Sequence, residues 1–187
     1  MLGRLIGRIM ASETAAANQH ALRLLRLAPT DRVLEVGFGP GRALSLVAGA
    51  LPHGFAAGVD ISPEMLRMAS ARGAPLIAAG RMALALADGA ALPFPDRSFD
   101  SVYCIHVIYF WPQPRDQLRE ALRVLKPGGQ FLLGFTARSH PRAADFPASV
   151  YRFHDPDEVL ALLSSCAFRA ITSSMSADHT QFVCGRR

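Results

Sequence analysis

Along most of this chain, short apolar runs that end in glycine or aspartate alternate with stretches of helical periodicity. Val33-Leu34-Glu35-Val36 is closed by Gly37, residues 55–60 end at Asp60, and residues 82–87 end at Asp88-Gly89. Residues 99–105 and 130–136 are two further runs of the same kind. Between them, residues 15–27, 42–51 and 113–125 carry apolar positions at helical spacing, with Leu118, Leu122 and Leu125 in phase in the last. Ser62-Pro63 supplies an N-cap followed by proline at the first helical position, so a helix starts there and reaches at least Arg72, its continuation past Pro75 to Gly80 left open. Lys126-Pro127-Gly128-Gly129 stops the helix before it, and Asp155-Pro156-Asp157-Glu158 is a capping box for one reaching Cys166. Repeated strand–helix alternation predicts an α/β fold: a doubly wound, Rossmann-like, mostly parallel sheet with helices on both faces. Residues 169–174 and 180–186 break the alternation, and their short connection predicts an antiparallel strand pair at one edge.

The chain has 187 residues, half of them hydrophobic and 19% charged, which excludes a largely disordered chain and fits one domain with a sizeable core. No linker divides it. We expect a single domain over residues 1–187, with an N-terminal helical lid at 1–28, a core at 30–136, and an insertion, last helix and strand pair at 137–187. Leu2, Leu5, Ile6, Ile9 and Met10 recur at helical spacing, and Arg8 and Glu13 interrupt any signal-peptide core. That first stretch reads as a packed helix, with a weak membrane-surface contact as the alternative. Three scattered cysteines form no disulfide framework or CxxC pair, so reduced thiols, a cytoplasmic location and no metal site are expected. The net charge is +5, and of 20 basic residues only Lys126 is lysine. The arginines are spread without runs, which argues against a nucleic-acid partner.

The chemistry concentrates at the strand ends. Glu35-Val36-Gly37-Phe38-Gly39-Pro40-Gly41 follows a strand and opens a helix, where glycines allow a tight turn and close approach of a ligand. Its spacing is G-x-G-x-G. A dinucleotide fingerprint would need glycine where Arg42 stands, and no Lys-Ser/Thr follows as in a P-loop. Asp60 closes the second strand, where a carboxylate can accept from ribose hydroxyls, and Asp88 closes the third, where one can accept from an exocyclic amine.

These blocks resemble the class I S-adenosylmethionine-dependent methyltransferases, specifically the small-molecule methyltransferase-domain group. The resemblance runs from about Thr30 to Phe135 and rests on four ordered segments. They are Val33-Leu-Glu-Val-Gly-Phe-Gly-Pro-Gly, Gly58-Val-Asp-Ile-Ser-Pro-Glu-Met-Leu, Ala87-Asp-Gly-Ala-Ala-Leu-Pro-Phe-Pro-Asp-Arg-Ser-Phe-Asp and Leu118-Arg-Glu-Ala-Leu-Arg-Val-Leu-Lys-Pro-Gly-Gly. It implies a seven-stranded sheet whose last strand is inserted antiparallel, and S-adenosyl-L-methionine as cofactor. It further implies that Glu35 and the Gly37, Gly39 and Gly41 turn surround the methionine part and that Asp60 holds the ribose. Ile61 and Met65 would pack on the adenine, Asp88 with the Gly89 backbone would read its edge, and Cys104 and Ile105 would pass beside the transferred methyl.

Methyl transfer is an in-line displacement, so the protein supplies alignment and a dry pocket, and a base only where the acceptor carries a proton. His106 and Tyr109, just past the fourth strand, are the candidate catalytic pair; in many relatives the position of Tyr109 is histidine, a departure here. Phe110-Trp111 reads as core packing or as an aromatic wall for a planar acceptor, and His20, His140, Tyr151 and His154 are further polar candidates. The expected partner is a small-molecule acceptor. Two alternatives stay open: a lipid or quinone methyltransferase at the membrane surface, and a cofactor-binding module without turnover.

Overall fold

The computed structural model describes residues 16–187; the apolar stretch at 1–10 lies outside the described residues. Helix α1 runs through residues 16–25 and turns Ala17, Ala21 and Leu25 inward, four residues apart and each at most 3% exposed. The chain continues as β1 (Arg32–Val36), α2 (Arg42–Gly49), β2 (Phe55–Asp60), α3 (Pro63–Ala78), β3 (Met82–Leu86) and β4 (Phe99–Ile105). A single 3-10 turn, Ile108–Phe110, leads into α4 (Pro114–Val124), β5 (Leu125–Phe135), α5 (Pro156–Ser165), β6 (Arg169–Met175) and β7 (Gln181–Arg186).

The strands form one seven-stranded sheet in the order β3-β2-β1-β4-β5-β7-β6. All pairs from β3 to β5 are parallel, whereas β7 runs antiparallel to both β5 and β6. The α/β expectation, with its antiparallel last strand, therefore holds. The last strand is inserted as expected: β7 lies between β5 and β6, and β6 forms the rim. Burial explains the placement, because Phe182 and Val183 of β7 are almost fully buried while most of β6 faces water. Strand alternation divides the core. Leu34, Val36, Val102 and Cys104 face α4 and α5, where Leu118, Val159 and Leu163 are fully buried, each such side chain contributing about 1.5–3 kcal/mol. Val33 and Tyr103 face the opposite layer of α1, α2 and α3.

One boundary left open is settled and one differs from expectation. Helix α3 passes through Pro75 to Ala78. Its second half lies on β3 so closely that a Cβ at Gly73 would sit 2.7 Å from the Met82 sulfur, and this packing offsets the lost backbone bond. The Lys126–Gly129 stop bulges within β5: Phe99 pairs with Leu125 and Ser101 already with Gln130. Strand order reverses between β1 and β4, so their carboxyl ends open a crevice, the place where ligands bind in open α/β sheets. Among the described residues, no helix is long and apolar enough to cross a membrane.

Candidate functional site

That crevice is a cavity of about 520 Å³. Glu35, Gly37 and Gly39 line it from the β1–α2 turn, and Asp60, Ile61 and Met65 from the end of β2 and the start of α3. Asp88 and Gly89 enter after β3, and Ile105 and His106 after β4. Two expected residues do not line it. Cys104 is fully buried in the α4–α5 layer, because it points to the other sheet face from Ile105. Gly41 (φ +75°) supports the turn from behind, where a Cβ would lie 2.8 Å from the Ala69 Cβ of α3.

Glu35 and Tyr103 stand opposite one another on paired strands, and the Tyr103 hydroxyl donates to Glu35 Oε2 at 2.8 Å. Burial pushes the Glu35 carboxyl up to about 8; the Tyr103 bond pulls it down, the Asp60 charge adds to the rise, and the Leu44 backbone N–H opposes it. Asp60 organises the glycine turn. The Gly39 N–H donates to its Oδ2 and the Ser62 N–H to its Oδ1, both at 2.9 Å. A carboxylate offers about four lone-pair sites, so Asp60 keeps acceptor capacity toward the cavity. At Asp88, Oδ1 accepts from the Ala90 N–H at 2.9 Å.

Two lining residues were not singled out from the sequence. Asn18 of α1 is 7% exposed, and Gln117 of α4 is 6% exposed with its Oε1 buried and without a hydrogen-bond partner. A buried acceptor left unmatched costs about 1–3 kcal/mol, which a ligand N–H would recover. The signal for Gln117 was present: it shares the buried phase of α4 with Ala121 and Val124, an amide on an apolar stripe.

His106 leaves β4 with φ +58°, an uncommon conformation for a side-chain-bearing residue, and its N–H donates to the Gly134 carbonyl at 2.8 Å. Its Nδ1 lies 3.0 Å from the Tyr109 hydroxyl oxygen, which also accepts the Thr136 backbone N–H. Burial pushes the Tyr109 hydroxyl up to about 12, so it keeps its proton. Where that proton is directed at Nδ1, the neutral imidazole carries its own proton on Nε2. His106 also lines a second cavity of about 390 Å³, bounded by Tyr109 and by residues of the 136–153 and 178–180 segments, including His140 and Tyr151. Phe110 (43% exposed) and Trp111 (9%) line the first cavity, so Trp111 is both core and wall. His20 bonds Ser174 instead, and His154 lies beside Glu158 on α5; neither lines either of these two cavities. Among the described residues no acid, histidine and cysteine cluster could hold a metal.

The family model described as a methyltransferase domain matches residues 34–133. The chain is 38% identical over 130 residues to an uncharacterised protein, MJ1123, of Methanocaldococcus jannaschii, covering 70% of this chain but 53% of that protein. It thus spans about half the length of that relative. It is 30% identical over 141 residues to YdaC, an uncharacterised methyltransferase of Bacillus subtilis, covering 74% of this chain and 72% of YdaC. In fold it is similar to a S-adenosylmethionine-dependent methyltransferase from Aquifex aeolicus, with TM-score 0.78, 19% identity, and coverage of 90% of this chain and 88% of that one. A match over more than half the chain, on a seven-stranded sheet with the acids and the glycine turn at its switch point, identifies the chain as a member of the methyltransferase-domain family of class I S-adenosylmethionine-dependent methyltransferases.

Proposed function

We propose that the protein transfers a methyl group from S-adenosylmethionine to a small organic acceptor in the cytoplasm. The observation that carries this reading is that two cavities meet at His106: one collects the strand-end acids and the glycine turn, the other is aromatic and polar. The residues of the first suit the cofactor. Glu35, Gly37 and Gly39 surround its methionine part, with Gly41 shaping the turn from behind; the Asp60 carboxylate favours a cation, and a cation in turn favours ionisation of Glu35. The remaining lone pairs of Asp60 accept from the ribose, while Ile61, 71% exposed, and Met65 cover the adenine. Asp88, the Gly89 backbone and the orphaned Gln117 Oε1 read its edge. Ile105, with Cys104 packed beneath it, forms the floor near the methyl.

When bound, the cofactor supplies a sulfonium methyl, whose C–S bond breaks with its electron pair on sulfur as the acceptor's lone pair forms the new bond. The chain supplies alignment and dryness. His106 presents its Nε2 proton as a donor that orients the acceptor, and Tyr109 is a positioning residue that holds the imidazole through Nδ1. Calorimetric titration with S-adenosylmethionine, S-adenosylhomocysteine and NADH tests the reading. We expect micromolar binding of the sulfur compounds only, weakened by about 1–3 kcal/mol in Asp60→Ala. A folded protein that binds neither, or that binds NADH instead, would overturn it.

A further inference from the structure

We infer that Asn18 of α1 binds the α-amino-acid end of the cofactor, so that the N-terminal helix is part of the cofactor site and not only packing beside it. The inference rests on the methyltransferase reading above. It adds a residue that lies outside the matched family segment, residues 34–133.

Asn18 is a poor choice for the fold taken alone. It follows Ala15-Ala16-Ala17, a run of the best helix former, and asparagine favours a helix less. Ala17, Ala21 and Leu25 make the packed stripe of α1; Asn18 stands about 100° further round the helix and is still only 7% exposed. A buried amide is unfavourable unless its groups are hydrogen-bonded. Yet the Asn18 side chain makes no hydrogen bond to any described residue. It lines the first cavity and not the second. An amide that is more than nine-tenths buried, unmatched and open to a cavity is placed to meet a polar group of a ligand.

The position of α1 decides which part of the ligand that is. The Leu24 carbonyl accepts from Gln130 Nε2 of β5 at 3.0 Å. His20 Nε2 lies 3.3 Å from the Ser174 hydroxyl oxygen of β6, and the His20 ring centroid lies 5.1 Å from that of Phe182 on β7. Helix α1 therefore lies over the β5–β7–β6 half of the sheet. Ile61, Met65 and Asp88 follow β2 and β3, on the other half. Strands are spaced about 4.8 Å apart, which puts β5 roughly 19 Å from β3, with β2, β1 and β4 between them. An extended ligand with its adenine over β2 and β3 thus sends its opposite end toward α1. In S-adenosylmethionine and S-adenosylhomocysteine that end carries an ammonium and a carboxylate on one carbon. The asparagine amide accepts through Oδ1 and donates through Nδ2. Being neutral, it meets both groups and repels neither, whereas an acid or a base in its place would oppose one of them.

The test is calorimetric titration of the parent protein, Asn18→Ala and Asn18→Leu with S-adenosylhomocysteine and with methylthioadenosine. The second ligand keeps the adenosine and the thioether sulfur but ends in a methyl group where the amino acid would be. The parent should bind S-adenosylhomocysteine more tightly than methylthioadenosine. Both variants should bind S-adenosylhomocysteine about tenfold more weakly, as for a lost hydrogen bond to a charged group, and methylthioadenosine as the parent does. Alanine leaves space and leucine fills it, so a loss shared by the two variants comes from the amide and not from shape. Thermal melting of the ligand-free variants should be no lower than that of the parent, because the amide removed was unmatched. Equal weakening of the two ligands, or unchanged S-adenosylhomocysteine affinity, would overturn the inference and leave the methyltransferase reading standing. So would parental affinities that do not distinguish the two ligands, or lower melting accompanied by loss of both. A folded parent that binds no S-adenosylhomocysteine would overturn the inference together with that reading.

Discussion

Replacing Glu35 by glutamine should make the protein more stable as pH rises and, at the same time, poorer at holding its cofactor. Glu35 is 3% exposed, and burial raises its carboxyl from 4.5 to about 8 against the hydrogen bond from Tyr103. Below about pH 4.5 the folded and unfolded chains both hold this proton. Above it the unfolded chain releases the proton while the folded chain keeps it, so the folded state binds more protons and stability falls as pH rises, until the folded carboxyl ionises near 8. The slope is about 1.4 kcal/mol per pH unit, and the interval between 4.5 and about 8 sets a ceiling of roughly 5 kcal/mol. Relaxation around the carboxyl reduces the realised figure to a few kcal/mol. Glutamine keeps the shape and an oxygen for the Tyr103 hydroxyl but never ionises, so this loss disappears.

Urea unfolding of both proteins from about pH 5 to about pH 8 reads the effect directly. Near pH 5 the two midpoints should be close, and the variant should gain steadily above that. Other groups titrate in the same window. His154, held below its usual value by burial, makes both proteins lose stability as pH falls, but it cancels in the difference. A difference between the two proteins that is constant across pH would refute the reasoning, because it would mean Glu35 has the same proton affinity folded and unfolded. The cofactor arm should move the other way: a cationic sulfonium favours the ionised form of Glu35, which glutamine cannot adopt, so S-adenosylmethionine binding should weaken by about 1–3 kcal/mol.

Gln117→Leu removes an unmatched buried acceptor, so the ligand-free protein should melt higher while S-adenosylhomocysteine binds several-fold to about tenfold more weakly; unchanged affinity would take Gln117 out of the cofactor site. Tyr109→Phe deletes the hydroxyl that joins His106 to the Thr136 N–H, and should cost about 1–2 kcal/mol of stability. The same variant should lower kcat with cofactor affinity unchanged, and equal turnover would reduce Tyr109 to packing.

Much of the fold was legible because the information is local. A buried parallel strand is a short apolar run, and each run ended where the sheet ends, at Gly37, Asp60 and Asp88. What local pattern could not supply was set by tertiary packing. Pro75 leaves the end of α3 open in the sequence, and α3 continues to Ala78 because Gly73 lets it lie on Met82. The last two strands read as a hairpin, and only relative burial decides that β7 goes inside and β6 outside. The first cavity was legible where its lining follows strand ends, as at Gly37, Asp60, Asp88 and Ile105, but not at Asn18 of α1 or Gln117 of α4. The second cavity was not. Its lining comes from residues 106–109, 136–153 and 178–180, brought together by a sheet order that places β7 beside β5, and no periodicity relates Phe153 to His179.

Three residues at or beside the cofactor crevice nevertheless announce themselves by breaking a local rule. Glu35 is an acid in the middle of an apolar strand, Gln117 an amide on the apolar face of α4, and His106 a side-chain-bearing residue at φ +58°. Each is unfavourable for the fold taken alone: a desolvated carboxyl, an unmatched acceptor, a strained backbone. Packing does not account for them, because glutamine, leucine and glycine would satisfy the same positions at lower cost. A ligand of the right chemistry would recover these costs. A cation can restore the charge of Glu35, an amine can donate to Gln117, and an acceptor can use the direction in which His106 is forced to point. The places where this sequence works against its own stability are therefore the places where a ligand enters the physical argument, and the three of them surround one crevice.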